Sequence, residues 1–221
     1  MNDAPPTGPR AGQPQIADTT RAESLRAAQV LLDAAQRAHD ADTCEHQRRT
    51  TELAVAIGVR LALPEARLEW LRHAALLHDI GKIGLPTAIV RKPGELSSRE
   101  LALVRAHCAI GHGILEFLEV PEPLPEIVLQ HHERLDGTGY PHALAGDQIR
   151  LEARILAVAD AFDAMTSDRG YRTALPAEFA LAELAKMAGR SLDADAVAAC
   201  AAHVAARAER RTPAAGPARQ D

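Results

Sequence analysis

Pro64-Glu65-Ala66-Arg67-Leu68-Glu69-Trp70-Leu71-Arg72-His73-Ala74-Ala75-Leu76-Leu77-His78-Asp79-Ile80-Gly81-Lys82-Ile83-Gly84 decides the reading of this 221-residue chain. Proline suits the first turn of a helix, and Leu68, Leu71, Ala75 and His78 then recur at spacings of three, four and three. Gly81 and Gly84 break the pattern, so a helix is predicted over 64–78. Two donor side chains, His78 and Asp79, stand where that helix stops and the backbone turns.

Outward from this segment the same punctuation repeats. Helices are predicted at 46–61, 97–118, 122–132, 151–166, 176–188 and 193–207, separated by Pro93-Gly94, by Pro121 to Pro125 and by a glycine-rich turn after His131-His132. No strand alternation and no internal repeat appears, so the expected fold class is all-α, one main domain built as a helical bundle. Thr19 or Thr20 can cap a further helix, a lead-in over 19–41 ahead of a domain at 42–206. Proline-rich residues 1–18 and the Ala/Arg/Pro-rich tail 207–221 are expected to be disordered.

Composition restricts the setting. The hydrophobic content of 47 % is ordinary for a globular protein with a buried core. No run approaches the roughly 18 apolar residues of a membrane span, and residues 1–15 lack an apolar signal core, so a cytoplasmic protein is expected. Three widely spaced cysteines, Cys44, Cys108 and Cys200, indicate neither a disulfide framework nor a CxxC zinc site. A formal net charge of -5 argues against a nucleic-acid polymer as partner, while leaving room for a local cationic pocket.

Ten histidines occur, and several fall in patterns that a surface or core role explains poorly. His131 and His132 open the turn Glu133-Arg134-Leu135-Asp136-Gly137-Thr138-Gly139-Tyr140-Pro141. Asp160 lies within the apolar run Ile155-Leu156-Ala157-Val158-Ala159-Asp160-Ala161-Phe162, where a carboxylate needs a cation or hydrogen bonds. His46 follows Asp42 by four residues, so both can reach one ion if the helix already begins there. Imidazole and carboxylate without thiolate favour iron, manganese or a similar ion.

Leu76-Leu77-His78-Asp79-Ile80-Gly81-Lys82-Ile83-Gly84, the HHERLDGTGYP loop at 131–141, Ile155 to Asp160, and Asp163-Ala164-Met165-Thr166-Ser167-Asp168-Arg169 closely resemble the HD-GYP subgroup of the HD-domain phosphodiesterases. The resemblance covers about residues 42–200, with the motifs in the family's order. It implies an all-helical HD-domain bundle with a metal centre in its core, two or three divalent ions, and hydrolysis of the signalling nucleotide cyclic di-GMP to pGpG, with GMP as a further product. Carried over by position, it makes His46, His78, Asp79, His107, His131, His132 and Asp160 metal ligands, with Asp79 bridging. It makes Asp79 and Lys82 catalytic, and Lys82, Asp163, Arg169 and Arg172 residues that hold or orient substrate phosphate. Tyr140 helps to shape the pocket. Two ions roughly 3.5–4 Å apart can lower the pKa of a shared water and stabilise charge on phosphoryl oxygens.

Some positions depart from the family. Members with three ions carry Glu where this chain has Asp42, one methylene shorter, which leaves a third ion open. Gln47 replaces a frequent Ser, and His142-Ala143 replaces Asp-Gly. The motifs are expected to stand without the receiver or sensory domain often fused to them in the family. His39, His73, His112 and His203 are read as structural or surface groups, Cys44 and Cys108 as small buried thiols, and Arg48-Arg49 as a solvated face from which Arg49 can reach toward the phosphate region. A noncatalytic module that binds a cyclic dinucleotide or a diguanylate cyclase, and a phosphohydrolase acting on another nucleotide, are the alternatives. A homodimer is compatible with either.

Overall fold

The structure, a computed structural model, describes residues 34, 41–168 and 173–211. Its elements are α1 (Ala41–Arg60), α2 (Glu65–Leu77), a 3-10 helix (Ile80–Gly84), α3 (Thr87–Val90), α4 (Ser98–Arg105), α5 (His107–Phe117), α6 (Leu124–Gln130), a second 3-10 helix (Gly146–Gln148), α7 (Leu151–Thr166), α8 (Ala177–Met187) and α9 (Ala194–Arg211). Among the described residues there is no strand, only the isolated bridges Asp136 to Ala145 and Ala188 to Leu192. Among the described residues no helix is long and apolar enough to cross a membrane.

Helical spacing places Ala54 and Ile57 of α1, Leu71 and Ala75 of α2, Ile127 and Val128 of α6, and Ile155, Leu156 and Ala159 of α7 in one buried cluster. Each fully buried Leu or Ile contributes about 1.5–3 kcal/mol. α1 packs on α2 and α7, α8 packs on α7, and α9 packs on α1, α7 and α8. α3 and α4 contribute no buried residue.

The sequence-derived helix at 97–118 is divided at Ala106. Ser97 starts α4 with a capping box, its Oγ accepting from the Glu100 amide and the Glu100 carboxylate accepting from the Ser97 amide at 2.8 Å. The Ala106 amide then donates to Leu103, a tighter closing turn, and α5 begins at His107. α9 also continues to Arg211, past the expected start of the tail at 207, because Val204 to Arg211 consists largely of good helix formers. The lead-in helix over 19–40 and the segments 1–18 and 212–221 lie outside the described residues, residue 34 excepted.

Candidate metal centre

Three helix C-termini converge on one point. His78 and His131 are the C-caps of α2 and α6, and His107 follows the Ala106 cap of α4. Each ring uses Nδ1 on the carbonyl three residues back: His78 on Ala75 at 2.8 Å, His107 on Val104 at 2.6 Å and His131 on Val128 at 2.6 Å. A carbonyl only accepts, so each Nδ1 carries the hydrogen and bonds a carbonyl in the last turn of a helix. The Nε2 lone pairs therefore face the centre. The three helix ends also present their negative poles to it, a favourable setting for a cation.

Asp79 stands among these rings. Its Oδ1 is 3.4 Å from His107 Nε2, and its Oδ2 is 3.5 Å from His78 Nε2 and 2.6 Å from Lys82 Nζ. Burial works against its charge, but the Lys82 ammonium beside it leads the opposing charges, and the carboxyl is held well below its ordinary range. Gly81 makes this turn possible: a Cβ there would lie 1.9 Å from the His107 carbonyl oxygen. The glycine thus lets the backbone after Asp79 dock directly on the start of α5.

On the α1 and α7 side the chemistry is ionic. His46 Nε2 lies 3.1 Å from Asp160 Oδ1, and its Nδ1 is 2.6 Å from Asp163 Oδ2. Arg49 grips the same Asp163 carboxylate at both oxygens, at 2.6 and 3.0 Å. Burial alone would lower the His46 pKa; the hydrogen bonds to Asp160 and Asp163 reverse this and raise it to about 9. Burial likewise opposes the charge of Asp160, and the hydrogen bond with charged His46 leads what holds it well below the usual carboxylate range.

His132 lies across the centre, its ring 4.1 Å from that of His131 and 4.8 Å from that of Tyr140. Burial lowers its pKa to about 3, and burial also lowers His107 and takes His131 far down, so these imidazoles are neutral. The loop that brings Tyr140 here is pinned by buried Glu133, whose carboxylate accepts from the His142 amide at 2.7 Å and the Leu144 amide at 3.0 Å. A Cβ at Gly139 would fall 2.4 Å from both the Arg134 nitrogen and the Glu133 Cα, so the loop folds back on itself only with glycine there. Arg105 lies 5.1 Å over the Tyr140 ring.

Two observations test whether these residues suit a metal. His78 Nε2 is buried without a hydrogen-bond partner. The Nε2 atoms of His107 and His131 approach to 3.3 Å, although both are acceptors. An orphan acceptor and two lone pairs facing each other are costly unless a cation lies among them, so the donor set fits a metal. The donors form two groups, His107, Cys108, His131 and His132, and His46, His78 and Asp79.

All seven predicted ligand positions thus belong to one cluster, with Asp160 joined through His46. Lys82 and Asp163 touch it through Asp79 and His46. Arg169 and Arg172 lie outside the described residues, as does the Asp42 side chain, although α1 does begin early enough to include Asp42. Arg48 pairs with Glu45 and Glu52 on a solvated face, while Arg49 reaches inward from that face, as the sequence allowed, onto Asp163. Sequence reasoning missed the structural role of Glu133; Cys108, adjacent to His107 in the chain, also places its sulfur 3.6 Å from His107 Nε2. His112 stands apart, paired with Glu116.

Comparison with known proteins agrees with this geometry. A family model described as the HD domain matches residues 29–196. A 3′3′-cGAMP-specific phosphodiesterase of Vibrio cholerae is 43 % identical over 157 residues, 71 % of this chain and 34 % of its own length. A cyclic di-GMP phosphodiesterase response regulator of Xanthomonas campestris is 40 % identical over 159 residues, 70 % of this chain and 41 % of its own. A solved structure of a cyclic GMP-AMP-specific phosphodiesterase of V. cholerae superposes with a TM-score of 0.54 at 34 % identity, covering 82 % of this chain and 41 % of that one. The chain spans about a third to two fifths of the length of these relatives.

Proposed function

We propose a function for this protein from the fact that the chain belongs to the HD-domain family and, by its motifs, to the HD-GYP subgroup. It is a metal-dependent phosphodiesterase that opens a 3′3′-linked cyclic dinucleotide, cyclic di-GMP foremost, to pGpG, with GMP as a further product. The observation that carries this reading is the convergence of His46, His78, Asp79, His107, His131, His132 and Asp160 on one buried centre with two acceptor nitrogens 3.3 Å apart.

His107, His131 and His132 would hold one ion, His46, His78 and Asp160 the other, and Asp79 would serve both. Iron or manganese suits the donors, with Asp42 the residue to hold a third ion. Divalent ions there supply Lewis acidity toward phosphoryl oxygen and an activated water. Lys82, anchored on Asp79 yet with 28 % of its side chain exposed, turns a positive charge toward the nonbridging oxygens. Arg169 and Arg172 take the remaining phosphate charge, Tyr140 walls the pocket, and Asp163 orients His46 from behind. The proposed compartment is the cytoplasm, and the proposed macromolecular partners are a diguanylate cyclase and a second copy of this chain.

A second reading has a specific observation in its favour: the 43 % identical relative is named for 3′3′-cGAMP. Anaerobically purified protein loaded with Fe(II) or Mn(II) should therefore be assayed against cyclic di-GMP, 3′3′-cGAMP and cyclic di-AMP, with products resolved by chromatography. Faster turnover of cyclic di-GMP supports the first reading, and faster turnover of 3′3′-cGAMP the second. Binding without turnover at confirmed metal occupancy would make the chain a noncatalytic module.

A further inference from the structure

One buried nucleophile has no part in the scheme above. Cys108 is fully buried and free, next in sequence to His107 on the first turn of α5. Its sulfur is 3.6 Å from His107 Nε2, and the donor atoms of His107, Cys108, His131 and His132 all lie within 4.8 Å of one another. The His107 and His131 nitrogens are themselves 3.3 Å apart.

These separations have a geometric meaning. For metal–nitrogen bonds of about 2.0–2.1 Å and metal–sulfur bonds of about 2.3 Å in a tetrahedral zinc site, two nitrogens stand about 3.3–3.4 Å apart, and a nitrogen and a sulfur about 3.6 Å. Both values match the spacings on this side of the centre. The other side, built from His46, His78, Asp79 and Asp160, has no sulfur in its donor group among the described residues. Buried His131, with Nε2 aimed at another acceptor, calls for a cation at the place the sulfur also faces.

We infer that Cys108 is a ligand of the ion held by His107, His131 and His132, and that it makes this half of the centre selective for a thiophilic divalent ion of the zinc class. The inference rests on the metal-centre reading above. On binding, the Cys108 S–H bond breaks, its proton leaves to solvent, and the sulfur electron pair forms the bond to the ion; no oxidant or reductant takes part. A soft donor widens the preference for zinc over manganese beyond that of an all-imidazole and carboxylate set.

Cobalt(II) loading of the full chain is the test. The expected spectrum combines visible ligand-field bands, which report any bound cobalt, with a near-ultraviolet sulfur-to-cobalt charge-transfer band. Cys108→Ser and Cys108→Ala should keep the first and lose the second. In competition titrations, the preference for Zn²⁺ over Mn²⁺ should fall by more than about tenfold in the variants, the scale on which partners of a metal site act. Circular dichroism checks their fold, and the unsubstituted protein's spectrum stands if neither folds. Bound cobalt without the near-ultraviolet band, or a band that persists in both variants, overturns the inference and leaves the metal centre intact. Absence of bound cobalt in the unsubstituted protein overturns both.

Discussion

The two halves of the centre are built on opposite electrostatic plans. Around His107, His131 and His132 the imidazoles are neutral, deeply buried, and in two cases fastened to the last turn of a helix that ends at the centre. Around His46 the imidazole is charged in the metal-free protein and is held between Asp160 and Asp163, with Arg49 gripping the second carboxylate. The first plan leaves nitrogen lone pairs ready, while the second requires an ion to displace a proton from His46. Asp79 and Lys82 lie between the two.

Substitutions separate these plans. Asp79→Asn acts on both halves and should lower kcat/KM by more than about 100-fold, beyond the range for an outer partner, with metal content falling in elemental analysis. Gly81→Ala drives a methyl group into the backbone of His107 and should cost about 3 kcal/mol, the upper end of overpacking, read as a lower melting temperature. Asp163→Asn should weaken metal binding at the ionic half by about 10–100-fold and leave the neutral half loaded, so that titration shows one ion lost and one retained. Arg49→Lys gives up the two-pronged grip while keeping the charge; its effect on metal affinity should be less than about tenfold. Equal loss from both halves in Asp163→Asn would break the division.

A further difference is one of pH on the metal-free protein. A His46 pKa raised from 6.5 to about 9 stabilises the fold fully below pH 6.5, and that contribution disappears as pH rises through about 9. His132, lowered from 6.5 to about 3, has the reverse sign: unfolded chains take up its proton first, so stability declines as pH falls from 6.5 toward 3. Melting of the metal-free protein should therefore be highest near pH 6.5 and fall on both sides. Asp163→Asn should flatten the alkaline side only.

Much of this was legible before any coordinates. Proline and glycine punctuation marked the helices, and ligand types in a familiar order marked the centre. The break at Ala106 was not legible, because Arg105-Ala106-His107-Cys108 contains no helix breaker; the turn is set by where His107 must dock on Gly81. Nor was the Arg49 to Asp163 grip, which joins residues 114 apart in the chain. Glu133 reads as another polar loop residue until its carboxylate is seen accepting two backbone amides. Periodicity reports which face is buried; it says nothing of which distant residue waits there.

The bonds from His78, His107 and His131 to carbonyls three residues back reach only one helical turn. Which nitrogen of each ring carries hydrogen is therefore decided within four consecutive residues, as soon as that turn winds, and needs nothing from the distant parts of the bundle. The proton map of half the site is written into local chain before the helices meet. Their assembly has only to bring three finished ligands together.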